Sequence, residues 1–302
     1  SVTRDNLKLQ ELAFEYDLVG NVLKRADLIH DKKEHFAYDS LNRLVSNEGS
    51  QTGPINVSYD ALGNILGKSD VGDYRYCDAT PGIYRLCELE SKTGAHTRLT
   101  YDQAGNIVQL GNQHITYDSE GRVTAIKDGH FNHSEFTYGA DGELTRHSSR
   151  YYQNKFESIY LGDTELVREE FTPPFFPTPE RTRLRHFVSA PTGTLGYFEF
   201  TYLHFPYRHA SPILNTLITG IPLRTTEVSA KMTYVLKDHL GSIRAILNEK
   251  GDISERLDYD PWGKRIESSG YKYHSLKQGF TGNEHLDSLD LIHMGGRLYS
   301  PS

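Results

Sequence analysis

The sequence predicts an all-β protein in which consecutive antiparallel hairpins form a curved or spiralling sheet. Three observations support this fold class: a Tyr-Asp motif recurs along the chain, no stretch sustains a 3.6-residue period, and the aromatic residues are skewed towards tyrosine. The chain contains 20 Tyr but only 2 Met and 1 Trp, a composition that favours strands over helices. Its 26 Gly and 12 Pro are spread throughout, as turn residues are.

The repeat is the strongest of these signals. Its best copies, Tyr-Asp-x-x-Gly-Asn, begin at Tyr16, Tyr59 and Tyr101. Looser copies begin at Tyr38, Tyr117, Tyr138 and Tyr259. The first starts, 16, 38 and 59, are 22 and 21 residues apart, and the step from 59 to 101 is two such periods. Isolated Tyr-Asp pairs are common by chance, but seven copies at near-constant phase predict a tandem array.

Each repeat has a mechanical interpretation as a hairpin turn. The tyrosine ends a strand, the aspartate accepts hydrogen bonds from the following backbone N–H groups, and the glycine takes a positive φ. The flanking strands alternate apolar and polar residues, so each unit predicts a hairpin with a connection of four or five residues. The predicted repeat-turn residues are Tyr16, Asp17, Gly20, Tyr59, Asp60, Gly63, Tyr101, Asp102, Gly105, Tyr259, Asp260 and Gly263.

The dimensions of such an array predict a curved wall. Roughly 25 to 28 strands at about 4.8 Å spacing make a ribbon on the order of 120–135 Å long. A twisted ribbon of that length must curl, split or close. Only 37% of the residues are hydrophobic and the mean hydropathy is −0.57, so we expect a thin wall, part of a hollow β-shell, in which neither face forms a deep core.

Charge and hydropathy exclude two classes of partner. The net charge of −7 argues against nucleic-acid binding, which usually requires a basic surplus. No apolar run approaches the roughly 20 residues of a membrane-spanning helix. The chain lacks an initiator methionine, so we expect an internal piece of a longer protein or a processed product.

The two cysteines leave two arrangements open. Cys77 and Cys87 flank a Pro-Gly turn, which is consistent with a disulfide across a hairpin. Two unrelated strand thiols are the favoured alternative.

Residues with catalytic chemistry are few, and no cofactor or metal is predicted. Asp238, His239 and Ser242 are the residue types of a hydrolytic triad, but neighbours on a strand alternate faces and do not converge. We therefore expect a capped turn with Gly241 at positive φ. Asp258 and Asp260 are interpreted as turn-entry residues. His130 and His133 have ligand-like spacing, but no Cys or carboxylate cluster completes a metal site.

We divide the chain into a repeat sheet at 1–170, an insertion at 171–232 and a C-terminal segment at 233–302. The insertion begins with a proline-rich stretch at 171–180, which is incompatible with a central strand, and contains an apolar stretch at 204–223. It is predicted to be a loop packed on the wall or projecting from it. The alternative is a plug or a docking element for cargo or a delivery partner.

The Tyr-Asp repeats resemble those of the Rhs/YD-repeat proteins. Residues 234–244, 255–265 and 280–301 are similar to that family's core-associated end, which lies just before its cleavage site. The resemblance covers nearly the whole chain and is least evident over about 171–232.

The resemblance implies a bacterial β-shell that encloses a C-terminal toxin domain, as in Rhs polymorphic toxins and the Tc toxin C component. It implies assembly in the cytoplasm and secretion with a delivery partner, either a type VI spike or a Tc component. The family's shell end also carries a self-cleaving aspartyl protease motif. Arg297 matches the family's arginine just upstream of that motif, but Ser300 stands where the first aspartate is expected, and no catalytic residue is predicted within this chain.

The leading functional hypothesis is therefore a structural shell segment that encloses and carries a toxin until delivery. One alternative is a self-cleaving aspartyl-protease core, and Ser300 argues against it. The other alternative is a module that binds carbohydrate or a cell-surface partner through its repeat surface.

Overall fold

The computed structural model describes residues 2–5, 7–49, 53–77, 85–129, 132–152, 154–170, 180–190, 193–204, 226–266 and 276–301. Across these residues the chain forms strands, joined mostly by tight turns, and two single-turn 3-10 helices at Phe280–Gly282 and Asp287–Leu289. The predicted all-β fold of consecutive antiparallel hairpins is confirmed. No helix in this part of the chain has the length and apolar character needed to cross a membrane.

The strands follow one another closely. The first nine are β1 (Val2–Arg4), β2 (Leu7–Gln10), β3 (Leu12–Tyr16), β4 (Val22–Asp27), β5 (Lys32–Tyr38), β6 (Leu44–Glu48), β7 (Ile55–Tyr59), β8 (Ile65–Lys68) and β9 (Gly72–Tyr76). The next nine are β10 (Leu86–Ser91), β11 (His96–Tyr101), β12 (Ile107–Leu110), β13 (Gln113–Tyr117), β14 (Val123–Asp128), β15 (Asn132–Tyr138), β16 (Leu144–Tyr151), β17 (Asn154–Leu161) and β18 (Thr164–Glu170). The last ten are β19 (Glu180–Ala190), β20 (Gly193–His204), β21 (Thr226–Lys237), β22 (Ile243–Leu247), β23 (Ile253–Arg256), β24 (Asp258–Tyr259), β25 (Arg265–Ile266), β26 (Glu284–Leu286), β27 (Leu291–Met294) and β28 (Arg297–Tyr299).

From β3 to β23 every strand pairs antiparallel with the next one in the chain, so that one sheet runs in sequence order. Part of the predicted insertion belongs to this sheet, because residues 180–190 and 193–204 form β19 and β20 and residues 226–232 begin β21. Residues 171–179 and 205–225, which include most of the proline-rich and apolar stretches, lie outside the described residues. Smaller sheets pair β1 with β2, β24 with β25, and β27 with both β26 and β28.

A register shift at six of the seven repeat turns helps to explain why the sheet curves. The ladder shifts by one residue immediately before the repeat tyrosine, as at Ser58/Tyr59, Thr100/Tyr101 and Thr116/Tyr117. Such bulges bend a strand and increase its local twist. Because the same shift recurs along the array, the bends add in one direction and the ribbon curls.

The curl brings the beginning of the chain to the last strands of the sheet. Arg4 Nη1 donates to Asp252 Oδ1 at 2.9 Å, and Arg256 Nη2 donates to the carbonyl of Leu9 at 3.4 Å. Leu9 also packs with Ala245 and Leu247 in a small buried cluster. The first hairpin and the β22–β23 region are therefore neighbours, although 248 and 247 positions separate the two bonded pairs.

The core differs from the expected thin wall, because the chain's own C-terminal part covers one side of the sheet. Leu286, Leu289 and Leu291 pack with Ile126 and Phe136 of β14 and β15. A second cluster joins residues of β20, β21 and β22 to three residues of the later chain, Leu257, Tyr259 and Leu276. The alternating apolar side chains of the strands bury their surface against this segment, which stabilises both layers.

Candidate functional site

The repeat turns share one hydrogen-bond pattern, seen clearly at Asp60. The backbone N–H groups of Leu62 and Asn64 each donate to Asp60 Oδ1 at 2.9 Å. The Asn64 side-chain amide donates to Asp60 Oδ2 at 2.8 Å, and this bond, with the backbone donors, lowers the pKa of the carboxyl group. The N–H of Gly63 donates to the Asp60 carbonyl, and Gly63 has a φ of 96°.

The other turns place the predicted residues in the same way. In each, the N–H four residues after the aspartate donates to its Oδ1: Asp17, Asp39, Asp102, Asp118 and Asp260. Gly20, Gly105 and Gly263 have φ values of 95°, 91° and 93°. The geometry therefore holds the aspartate as an acceptor and leaves its ionised form favoured at the exposed turns.

The last turn, at Asp260, is buried and connects two layers. Asp260 is only 2% exposed, and burial raises the pKa of its carboxyl group despite hydrogen bonds from the N–H groups of Lys264 and Trp262. A Cβ on Gly263 would lie 2.4 Å from the Phe280 ring, so this position requires glycine for packing as well as for its φ. The Tyr-Asp motif that begins at Tyr259 is therefore buried, unlike the repeat turns at the surface.

The repeat tyrosines link each hairpin to its predecessor. Five of the seven hydroxyls donate to a backbone carbonyl of an earlier strand: Tyr38 to Val22 at 3.0 Å, Tyr59 to Leu44 at 2.8 Å, Tyr101 to Leu86 at 2.7 Å, Tyr117 to Ile107 at 2.8 Å and Tyr138 to Val123 at 2.8 Å. In two repeats the arginine that ends one turn also lies over the next repeat tyrosine: Arg43 over Tyr59 at 4.6 Å and Arg122 over Tyr138 at 5.0 Å. The sequence analysis did not predict these hydrogen bonds between hairpins, although the regular spacing of the tyrosines was a signal for them.

A buried ionic cluster anchors the C-terminal segment, which we define here as residues 276–301. His147 Nδ1 lies 2.7 Å from Glu284 Oε1, Tyr160 donates its hydroxyl to Glu284 Oε2 at 2.9 Å, and Lys277 Nζ lies 3.3 Å from Glu284 Oε1. Burial alone would raise the pKa of Glu284, but Lys277 and His147 override it and hold the pKa well below its usual range. Burial and then Lys277 lower the pKa of His147.

An aromatic stack lies beside this cluster. The Phe136 ring is stacked on the rings of His147 at 4.7 Å and His293 at 4.9 Å. His293 Nε2 also lies 2.9 Å from the Tyr138 hydroxyl. Burial lowers the pKa of His293. Burial is also the largest cause that raises the pKa of Tyr138 to about 12. These rings join strand β15 to strand β27.

Backbone contacts extend the anchoring along the sheet. The N–H of Val123 donates to the Gly296 carbonyl at 3.0 Å, and Gln113 Nε2 donates to the Leu289 carbonyl at 2.9 Å. Lys68, which is 3% exposed, donates to the Pro301 carbonyl at 3.2 Å. The N–H of Ile243 at the start of β22 donates to the Gly279 carbonyl at 3.1 Å. The segment therefore contacts strands from β8 to β22 and bridges distant parts of the curl.

The residues considered as catalytic candidates form hydrogen bonds that stabilise a turn and its packing. The N–H groups of Leu240 and Ser242 donate to Asp238 Oδ1 at 2.9 Å, and Gly241 has a φ of 84°, so the predicted capped turn is confirmed. The Ser242 hydroxyl accepts a hydrogen bond from the N–H of Thr281 at 3.1 Å. Arg297 is exposed at the start of β28.

Asp258 and the histidines with ligand-like spacing are the remaining residues that the sequence analysis considered. Asp258 forms ion pairs with Lys32 and Arg244. His133 pairs with Glu135 at 2.9 Å, whereas His130 lies outside the described residues. Within the described ranges, no three His, Cys, Asp or Glu side chains group closely enough to hold a metal ion.

The expectation for the cysteines was wrong. Cys77 and Cys87 form a disulfide, with their Cα atoms 5.5 Å apart. The cause is strand pairing: Tyr76 at the end of β9 lies opposite Leu86 at the start of β10. The N–H of Cys77 donates to the Arg85 carbonyl, and Cys87 lies at the register shift between Leu86 and Glu88. The two cysteines are therefore diagonal neighbours across the pair, within the distance that a disulfide spans.

The tandem hairpins, the hydrogen-bonded tyrosines and the covering segment together form a curled sheet of YD repeats. Comparison with known proteins agrees: residues 223–302 match the family model described as Teneurin YD-shell. The resemblance of this chain to the Rhs/YD-repeat shell proteins is confirmed. A comparison with curated protein sequences finds no match.

Solved structures show the same fold over almost the whole chain. The crystal structure of TcdB2-TccC3 aligns with 97% of this chain and 16% of its own, at 16% identity and a TM-score of 0.63. The Photorhabdus luminescens Tc holotoxin pore, with the mutation TccC3-D651A, aligns with 97% of this chain and 15% of its own, at 16% identity and a TM-score of 0.62. This chain thus spans about one sixth of the length of the structures it matches.

Proposed function

We propose that this chain is a segment of an encapsulating shell that encloses a C-terminal toxin domain and carries it until delivery. The observation that most favours this function is the curl, in which the first hairpin lies beside β22 and β23. Among the described residues every strand from β3 to β23 is paired with its neighbours along the chain, and such a continuous ladder blocks the passage of a folded domain and of proteases. The barrier is steric and requires no catalytic group.

The proposed partners follow from the same function. They are an enclosed toxin domain, the remainder of the shell, and a delivery partner, either a type VI spike or a Tc component. The chain is assembled in the cytoplasm and then exported, and a role in bacterial competition would follow from delivery into a rival cell. The fold likeness to Tc structures supports this class of system.

The experiment is a protease-protection assay on the natural gene product. Its mass is first measured, because it determines how much shell accompanies this segment. The toxin domain is then exposed to a protease within the intact protein and, separately, as an isolated domain. We expect the enclosed domain to survive at least tenfold longer, and electron microscopy to show density inside a hollow particle. Digestion at equal rates would refute enclosure.

A further inference from the structure

A polar cavity lies between the sheet and the C-terminal segment. It has a volume of about 110 Å³ and is bounded by strands β15 to β19 on one side and by residues 276–288 on the other. Phe156, Val167 and Leu276 form apolar wall. Three lining residues, Arg150, Asp287 and Ser288, are exposed and mark where the cavity reaches solvent. This volume exceeds that of a single water molecule several times.

Three buried polar atoms of lining residues have no hydrogen-bond partner among the described residues: His147 Nε2, Arg183 Nε and Glu169 Oε2. Glu169 Oε2 lies 3.6 Å from Arg181 Nη1, with which it forms an ion pair, so the two nitrogen atoms carry the argument. The His147 side chain is only 3% exposed. Its Nδ1 lies 2.7 Å from Glu284 Oε1 and 3.3 Å from Lys277 Nζ. We assign the ring proton to Nδ1 because the carboxylate contact is the shorter one, and this assignment leaves Nε2 of the neutral ring as an acceptor. Arg183 Nε–H is a donor. A buried group left without a partner is costly, so each calls for a complementary atom.

The charge around the cavity is positive although the protein is acidic overall. Four cationic side chains line it, Arg150, Arg183, Arg185 and Lys277, against two carboxylates, Glu169 and Asp287, a surplus of two positive charges. Six further charged side chains form ion pairs with the lining residues or with one another, and their charges cancel. They are three carboxylates, Glu165, Glu199 and Glu284, and three cations, Arg181, Lys231 and Arg265. A protein with a net charge of −7 thus concentrates cations at this place.

We propose that the cavity binds a phosphate group that retains one proton, as hydrogen phosphate or as a phosphate monoester. Its P–OH donates to His147 Nε2, and an anionic oxygen accepts from Arg183 Nε. The hydroxyl groups of Ser134 and Ser149, which also line the cavity, supply further polar contacts. Arginine suits this role because its planar donors match phosphate oxygens.

Sulfate provides the decisive comparison, because it has nearly the same shape as phosphate but carries no proton at neutral pH. It can accept from Arg183 but cannot donate to His147 Nε2. Sodium phosphate and sodium sulfate are compared by thermal unfolding of the whole chain at matched ionic strength. We expect phosphate at about 100 times its Kd to raise Tm by about 4–6 °C and sulfate to raise it much less. Equal shifts, or none with phosphate, would overturn the proposal.

Variants test the assigned atoms. Arg183→Lys keeps a cation beside Glu169 but lacks the Nε donor, so we expect phosphate affinity, measured by calorimetry, to fall at least tenfold. Arg168→Lys, at an exposed position on β18, is the matched control and should bind as the parent does. Unchanged affinity in folded Arg183→Lys would refute the site, and the phosphate–sulfate comparison decides without any variant. Glycerol phosphate distinguishes the sources: a shift with it assigns a monoester, whereas a shift with inorganic phosphate alone assigns the free ion.

Discussion

Each repeat turn needs one residue in the left-handed region of the backbone map, and the chain supplies glycine or asparagine there. Gly63 has a φ of 96°, and Asn42 at the corresponding position of an earlier repeat has a φ of 60°. Nothing lies within 4 Å of a Cβ built on Gly63. The constraint at this turn is therefore the backbone conformation itself and not crowding by neighbours.

This reasoning predicts the effect of substitution at Gly63. Gly63→Ala is expected to lower the free energy of unfolding by about 1–2 kcal/mol, because a Cβ is disfavoured at this φ. Gly63→Asn is the matched control and should cost less, since asparagine tolerates the conformation. Urea unfolding measures both. Equal losses for the two variants would contradict the argument from backbone conformation.

The tyrosine hydroxyls provide a second test at this scale. Tyr117→Phe removes the hydrogen bond to the Ile107 carbonyl, which is 2.8 Å long, and should lower the free energy of unfolding by about 1 kcal/mol. Tyr16 belongs to the first repeat and is 51% exposed, so Tyr16→Phe is the control and should be nearly neutral. A loss for Tyr16→Phe as large as that for Tyr117→Phe would show that the hydroxyl link does not stabilise the array.

Among the elements, the C-terminal segment differs most from the repeats, because ionised and titrating groups hold it to the sheet. Glu284 is buried with His147, Lys277 and Tyr160 around it. Breaking such a buried arrangement by removing one partner is strongly destabilising. The attachment of the segment should therefore depend on pH more than the repeat ladder does.

The direction of that dependence follows from the pKa shifts. His147 and His293 have lowered pKa values in the folded protein, so the unfolded chain takes up protons first as the pH falls below about 6.5. Glu284 also has a lowered pKa, and its contribution, present above about pH 4.3, is lost as the pH falls further. Both effects destabilise in acid.

We therefore expect the free energy of unfolding to fall between pH 7 and 5 by at most about 1.4 kcal/mol per pH unit for each histidine, and to fall more steeply below pH 4.5. Hydrogen exchange at residues 284–294 should accelerate over the same range. His147→Gln should flatten the upper part of the profile, whereas His114→Gln, at an exposed position on β13, should not. A profile of the parent that is flat from pH 7 to 5 would contradict the assignment.

For the molecule as a whole, the sequence predicted what is local and missed what is distant. The hairpins were predictable because Asp60, Gly63 and Asn64 satisfy one another within five residues. The covering of one face of the sheet was not predictable, because it depends on pairs that are distant in the sequence. His147 and Glu284 are 137 positions apart, and Tyr160 and Glu284 are 124 apart. No local sequence pattern indicates such pairs. A low hydrophobic fraction predicted a thin wall, but the apolar residues of the C-terminal segment are concentrated where they cover the strands.

The disulfide was missed for a related reason: both arrangements of the cysteines fit the spacing, and only the register of β9 and β10 separates them. The disulfide is relevant to the compartment in which the protein reaches its final oxidised state. Disulfides persist in oxidising compartments and are rare in the cytosol. A shell assembled in the cytoplasm and then exported would hold Cys77 and Cys87 as thiols first and close the bond after export.

This sequence of events predicts a redox-dependent stability. Closing a loop of 10 residues removes entropy from the unfolded chain, and we expect the bond to stabilise the fold by about 2–3 kcal/mol. Reduction, or the double variant Cys77→Ser with Cys87→Ser, should therefore lower Tm by about 4–6 °C. The double variant itself is the control, because a reductant should not change its Tm. Thiol alkylation should label both cysteines in protein from the cytoplasm and neither in secreted protein; labelled thiols in the secreted form would exclude closure after export.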